Sequence, residues 1–276
     1  MIQITNLTFG YKKKQLLFKD LNLGLDAGNI YGLFGMNGAG KTTLLKHIAG
    51  LLFPRQGECL VFDQPSGRRI PEMLSNIFVI PEEFVLPSMK ASTYAAVHAP
   101  FYPRFDHFEL QKHLKEFGVD PEHKLTTLSY GQKKKFLIAF GLAANTSLLL
   151  MDEPTNGLDI PSKSQFRRII ASTTNGDRCI LISTHQVRDL ASIIDHVIIL
   201  DNGGIIFQHS LDQIADTFSF GKVKDDDTRD VVYAEEVLGG KAAIRRNTGH
   251  DTQVDLELLF NAVVHDPAAI NNEFKS

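Results

Sequence analysis

Apolar and polar residues alternate from Ile2 to Phe9 and again from Leu16 to Leu25, with Gly10-Tyr11-Lys12-Lys13-Lys14 as a turn between them. Period-two alternation is the pattern of a half-buried strand, so the chain opens on an antiparallel meander. The pattern then changes. Ile30 to Phe34 and Leu148 to Met151 are unbroken apolar runs that read as buried strands, and Asn76 to Ile80 and Arg178 to Ser183 read the same way. Strands of this kind belong to a parallel sheet covered on both faces. Glu58 to Phe62 predicts a further short strand after the break at Phe53-Pro54-Arg55-Gln56-Gly57. Val197 to Leu200 and Ile205 to Phe207 predict a terminal hairpin around Asn202-Gly203-Gly204.

Helical periodicity lies between these runs. Leu44 to Ala49 is amphipathic, and Phe108, Leu110, Leu114 and Phe117 mark a helical insertion within 88–145. Its aromatic cluster, Phe101-Tyr102-Pro103-Arg104-Phe105, reads as packing, with a docking surface as the alternative. Ser129 is a natural N-cap for a helix that carries Lys133, Lys134 and Lys135 and then Phe136 to Ala144. Another helix starts near Pro161. Past Leu211 the pattern loosens, and Lys224-Asp225-Asp226-Asp227 marks a candidate boundary near Ser219 to Thr228. Beyond it, Val231-Val232-Tyr233 and Ala242-Ala243-Ile244 read as strands and Leu256 to Val264 as an amphipathic helix. The fold class expected is α/β: a phosphate-binding core with an antiparallel β subdomain and a helical insertion over residues 1–218, then a small α+β extension over 219–276.

Composition narrows the function classes. The 276 residues are 43% hydrophobic and 22% charged, ordinary values for a globular protein, and the net charge of −3 argues against a surface that coats nucleic acid. Cys59 and Cys179 sit far apart in apolar runs, which suits two reduced core thiols and neither a disulfide framework nor a zinc cluster. The N-terminus carries no basic, cleavable leader, and no stretch approaches the roughly twenty apolar residues of a membrane span. A soluble, intracellular chain is expected.

The chemistry is concentrated in a few short stretches. Gly35-Met36-Asn37-Gly38-Ala39-Gly40-Lys41-Thr42-Thr43 stands between a predicted strand and a predicted helix. Glycines let successive backbone N–H groups turn toward phosphate oxygens, and the helix adds its own unpaired donors and dipole. Lys41 is placed to reach the β- and γ-phosphates and Thr42 to ligate Mg²⁺. A run of apolar residues closed by Asp152-Glu153 brings a carboxylate near that metal, and Glu153 is placed to aim at a water beside the γ-phosphate. Burying two adjacent carboxylates without a cation would be costly. His185 follows a strand's C-terminal end, where ligands bind in parallel α/β sheets. Read without context, Leu128-Ser129-Tyr130-Gly131-Gln132 is an ordinary capped helix start, and Tyr11 an exposed turn aromatic.

Together, in this order, the P-loop, LSYGQ, LLLMDEPTNGLD and the downstream Thr184-His185 resemble the ATP-binding subunit of an ABC transporter over residues 1–214. The resemblance is nearest in style to the ATPases of ABC-2-type exporters. It implies a head-to-tail dimer, homo- or heteromeric, that sandwiches two ATP molecules, each site built from one subunit's P-loop and the other's signature. It implies further that Tyr11 stacks on adenine, while Gly35, Asn37, Gly38, Ala39, Gly40, Lys41, Thr42 and Thr43 cradle the phosphates. Thr42 and Asp152 would hold Mg²⁺, Glu153 would act as general base, and His185 would touch the γ-phosphate. Ser129, Gly131 and Gln132 would serve the partner's ATP, and Asp159 would make a contact across the interface.

Two positions depart from the family. Tyr130 stands where glycine is usual, so the signature loop is expected to be stiffer. Glu82 stands at the usual glutamine; its carboxylate still offers an oxygen to Mg²⁺ or its water, with a changed charge. With no membrane span, the chain is expected to drive a separate membrane subunit, docking through the helical insertion and the Glu82 region. It would lie on the inner face of the membrane, with export the direction that the resemblance favours. The competing class is a soluble ABC ATPase acting on ribosomes or DNA. Against it, there is a single P-loop, and the interval from Thr43 to Leu128 sustains no long coiled coil. A P-loop kinase or GTPase would leave LSYGQ without a reason, and no Asn-Lys-x-Asp motif is present.

Overall fold

The computed structural model describes residues 1–173, 176–223, 230–238, 240–249 and 252–275. The N-terminal alternation becomes an antiparallel sheet. β1 (Ile2–Phe9) is its centre, pairing Ile2 with Leu25 of β2 (Phe18–Leu25) on one side. β3 (Ile30–Phe34) leaves this sheet for the core and is buried at every position. After α1 (Lys41–Ile48), β4 (Gln56–Val61) returns to pair with β1 on its other side, and the short β5 (Gln64–Pro65) closes the edge.

The chain then crosses α2 (Pro71–Leu74) and β6 (Ile77–Ile80) into the helical insertion, α3 (Ala91–His98) and α4 (His107–Phe117). It re-enters the core through α5 (Tyr130–Ala143) and β7 (Leu148–Asp152). The expected aromatic cluster divides: Tyr102 and Phe105 pack against Phe140, whereas Phe101 is exposed. α6 (Ile160–Ser172), β8 (Cys179–Thr184), β9 (His196–Asp201) and β10 (Gly204–Ser210) complete a six-stranded sheet in the order β10-β9-β3-β8-β7-β6. Adjacent strands are parallel from β9 to β6, and only β10 runs antiparallel, as the second arm of the expected hairpin.

Each core strand sends alternate residues to two separate apolar clusters, which is why its sequence is apolar throughout. In β7, Leu148 and Leu150 face the antiparallel sheet and α1, whereas Leu149 and Met151 face the helical side. The helical side also contains the C-terminal elements. These are α7 (Leu211–Thr217), β11 (Phe218–Val223), β12 (Val231–Val237), β13 (Gly240–Arg246), α8 (Leu256–His265) and α9 (Pro267–Asn272), the strands forming a sheet in the order β11-β13-β12. Phe218, Ile244, Leu259 and Val263 share one cluster with Val197 and Ile199 of β9. The charged Lys224-Asp225-Asp226-Asp227 run lies outside the described residues.

One buried group gives this core a pH dependence. His47 in α1 is fully buried with its ring edge-on to Phe9, 4.5 Å between centroids, and neither ring nitrogen has a hydrogen-bond partner. Burial lowers its pKa from 6.5 to about 4, so the folded chain holds it neutral. Below pH 6.5 the unfolded chain takes up a proton that the folded chain refuses, so stability that is complete above that pH is lost on the way down to about 4. By pH 5 the loss from this one group is about 2 kcal/mol. Urea midpoints at pH 7.5 and pH 5 should therefore fall further apart for the parent than for His47→Leu; equal shifts would show that His47 is not the titrating group.

Candidate functional site

At the C-terminal end of β3 the chain turns through Gly35 to Gly40 into α1. Gly40 has φ 109°, and a Cβ there would lie 2.7 Å from the Phe18 ring, so both backbone and space require glycine. Lys41 opens the helix and is only 7% exposed. Its Nζ donates to Gly35 O at 2.7 Å and Met36 O at 3.3 Å, and lies 3.8 Å from Glu153 Oε1. Burial pulls the ammonium below the usual lysine pKa, and the carboxylates of Glu153, Asp152 and Glu82 offset part of that shift. The charge is thus folded onto its own loop, held mostly by neutral carbonyls, and an anionic phosphate is a stronger acceptor than either.

The parallel pairing of β7 with β8 sets Asp152 opposite Ser183. Asp152 accepts from the Ser183 hydroxyl through Oδ1 and from Thr42 Oγ1 through Oδ2, the latter at 2.7 Å. Glu153 follows with φ 45°, a left-handed conformation that a non-glycine residue rarely holds without support. Support comes from several directions. Its carboxylate accepts from Thr184 Oγ1 at 2.9 Å and His185 N at 2.9 Å, and His185 Nδ1 lies 2.8 Å from Oε1. Its carbonyl accepts from Lys134 Nζ at 2.6 Å, and Lys134 is a fully buried lysine whose pKa burial also lowers.

These residues line one cleft with a volume of about 750 Å³. Tyr11 lies along it, 64% exposed, its hydroxyl 3.0 Å from Thr43 Oγ1. Asn37, Gly38, Gly40, Lys41 and Thr42 line it, as do the two carboxylates and His185. Glu82 also lines it, with Oε1 accepting from Asn156 Nδ2 at 3.1 Å; Asn156 in turn accepts from Gln186, the neighbour of His185. Gly35 contributes its carbonyl to Lys41 instead of lining the cleft, and Ala39 packs with the apolar cluster around α1.

The donor set fits Mg²⁺. Thr42 Oγ1 and Asp152 are hard oxygen donors in contact at the foot of the loop, with the Glu82 carboxylate lining the same cleft. Among the described residues no cluster of three His, Cys, Asp or Glu side chains could hold a metal unaided. Mg²⁺ commonly takes one or two protein ligands and completes its shell with water and substrate phosphates, which is the arrangement this cleft can offer.

Besides Gly35 and Ala39, four of the expected residues stand outside the cleft. Ser129 and Gln132 form a reciprocal cap at the start of α5, Ser129 Oγ accepting from Gln132 N and Gln132 Oε1 from Ser129 N, and Gly131 lies between them. Asp159 caps α6, and the hydrogen bonds from Ser162 hold its carboxyl below the usual range. Conversely, Lys134, Asn156, Ser183 and Thr184 hold the site together without having been expected there. Lys134 was concealed in the run Lys133-Lys134-Lys135, where nothing local distinguishes it from its neighbours. Ser183 and Thr184 close an apolar strand just before His185, and that position was the available signal.

The profile of the family described as ABC transporter matches residues 18–156. The chain is 31% identical over 215 residues to the high-affinity zinc uptake system ATP-binding protein ZnuC of Bacillus subtilis (strain 168), covering 74% of this chain and 92% of that protein. A solved ATP-binding subunit of an ABC transporter superposes with a TM-score of 0.70 at 27% identity, over 78% of this chain and 91% of the other. A dimeric ATP-binding cassette, solved in a post-hydrolysis state bound to ADP and Pi, has the same fold, with a TM-score of 0.67 at 23% identity over 76% of this chain and 99% of the other.

Proposed function

This chain belongs to the ABC transporter family of ATP-binding proteins, and from that premise we propose that it hydrolyses ATP to drive a separate membrane subunit, with two ATPase subunits sharing each nucleotide. The observation that carries the reading is the clasp on Glu153, a buried carboxylate that lines the P-loop cleft, held by Thr184 and His185 and 3.8 Å from Lys41. In the proposed reaction a water attacks the γ-phosphate in line, and Glu153 takes or polarises its proton. Lys41 moves from its loop carbonyls to the phosphates, and His185, already on Glu153 Oε1, steadies the γ-phosphate. Mg²⁺, when bound between Thr42 and Asp152, would neutralise phosphate charge. Tyr11 is proposed to stack on the base.

The dimer is proposed because Ser129, Gly131, Gln132 and Asp159 are absent from the cleft that holds Lys41 and Glu153, so they are free to serve a nucleotide held by another copy or a close relative. The related cassette bound to ADP and Pi is likewise described as dimeric. Residues 219–276 are proposed as an extension that braces the segment after His185: Val187 and Leu190 share a cluster with Leu256 and Leu259, and Arg188 pairs with Glu257.

Two features support docking of a membrane partner. Among the described residues no helix is long and apolar enough to cross a membrane. Between α2 and the helical insertion runs a groove of about 550 Å³ that includes Phe101, 67% exposed, while Val85 beside the Glu82 loop is 96% exposed. Export is the proposed direction, on the likeness to ABC-2-type exporter ATPases; the zinc uptake relative shows that the same cassette also serves import, so the permease reports the direction. Affinity purification of the full chain from its native membranes tests the assignment. A polytopic membrane protein that stimulates its ATPase activity is expected, whereas ribosomes or DNA in its place would overturn the transport reading.

A further inference from the structure

Tyr130 occupies the signature position where the family resemblance leads one to expect glycine, and its side chain makes contacts that glycine cannot. Its hydroxyl donates to Glu82 O at 2.6 Å. Its ring stacks on Phe84, with centroids 5.4 Å apart and planes 17° from parallel. The ring also lies against Gly157, where a Cβ would fall 2.8 Å from it, and Lys134 Nζ stands 5.7 Å from the ring centroid. Three segments therefore meet on one side chain: the start of α5, the Glu82–Phe84 loop, and the turn that follows Glu153. Burial and the nearby Glu82 and Glu83 charges raise the phenol pKa, so the hydroxyl remains a donor at neutral pH.

The Glu82 loop receives this contact at its backbone. It has no regular secondary structure, yet its carboxylate must meet Asn156 inside the cleft. Glu82 is gripped at both ends, its carbonyl by Tyr130 and its Oε1 by Asn156. We propose that Tyr130 is a positioning residue that fastens the Glu82 loop to the signature helix and thereby holds the Glu82 carboxylate at the γ-phosphate end of the cleft. This rests on the ATPase reading above and adds to it a specific role for the two positions at which the chain departs from its family. The expected stiffening of the signature extends to the loop beside the docking surface, so the two move as one body.

The test separates the tether from the reaction. Cys59 and Cys179 are buried, their thiols pushed up to about 11 and about 12, so a nitroxide reagent will label Val85→Cys selectively. In this background Tyr130→Phe keeps the stacked ring and removes one hydrogen bond, and Tyr130→Gly removes every contact. The nitroxide in the nucleotide-free protein is expected to become more mobile in Tyr130→Phe and more so again in Tyr130→Gly. In parallel, kcat should fall about fivefold in Tyr130→Phe, the factor expected for one net hydrogen bond, with KM for ATP within about twofold. Unchanged mobility in both variants overturns the tether. Increased mobility with unchanged kcat overturns its positioning role, as does a fall in kcat matched by an equal rise in KM or by loss of folded protein. If the parent chain itself shows no ATP hydrolysis, the ATPase reading fails while the nitroxide spectra still decide whether the tether exists.

Discussion

Glu153→Gln is expected to lower ATP turnover by at least about a hundredfold while ATP affinity stays within a few fold, because general-base assistance contributes on that scale and ground-state binding does not depend on it. The reason lies in the clasp. Glutamine keeps the length and one acceptor oxygen of the side chain, so the bond from His185 N survives, and the Thr184 hydroxyl can reverse to accept from the new amide. The amide cannot accept a proton from water. It also removes the charge 3.8 Å from Lys41, so one competitor with phosphate for the ammonium is lost while the two loop carbonyls remain. Steady-state hydrolysis and nucleotide binding, measured on the same preparation, check both halves. Hydrolysis at the parent rate would mean that Glu153 is not the base.

Lys41→Ala is expected to act one step earlier, at binding. A charge-assisted hydrogen bond from a buried ammonium is worth about 1.5–3 kcal/mol, so ATP affinity should fall roughly 10- to 100-fold. ADP affinity should suffer less, in so far as Lys41 engages the γ-phosphate. Thermal stability without nucleotide should fall as well, because the variant leaves the buried Glu153 and Asp152 carboxylates without the ammonium that stands 3.8 Å from Glu153. Calorimetric titration with ATP and ADP reads these effects directly. Unchanged ATP affinity would show that Lys41 does not meet the phosphates.

The parts of this molecule that were legible in its sequence are those where backbone geometry dictates residue type. Gly40 must be glycine because of its positive φ and the Phe18 ring above it, and β7 must be apolar because both its faces are covered. Such constraints leave a local trace. The residues that hold the site from a distance leave none. Lys134 reaches Glu153 across 19 positions and Tyr130 reaches Glu82 across 48, and neither spacing has a signature. The C-terminal elements were half read. β12, β13 and α8 announced themselves by apolar periodicity, whereas α7, β11 and α9 are short, and Phe218 is buried by packing on the core and not by any local pattern. Ser129 and Asp159 were expected to serve a partner's nucleotide and the interface; in this chain they cap α5 and α6 away from its own cleft, a placement that the proposed shared site requires.

That shared nucleotide is the central claim, and sedimentation of Glu153→Gln with and without saturating Mg-ATP tests it most directly. The account predicts a monomer without nucleotide and a species of twice the mass with ATP. It predicts further that replacing Ser129 with arginine, which crowds the phosphate expected from the other copy, abolishes that species while each chain still binds ATP. A Glu153→Gln protein that binds ATP fully and sediments as a monomer, or a dimer indifferent to Ser129→Arg, would contradict it.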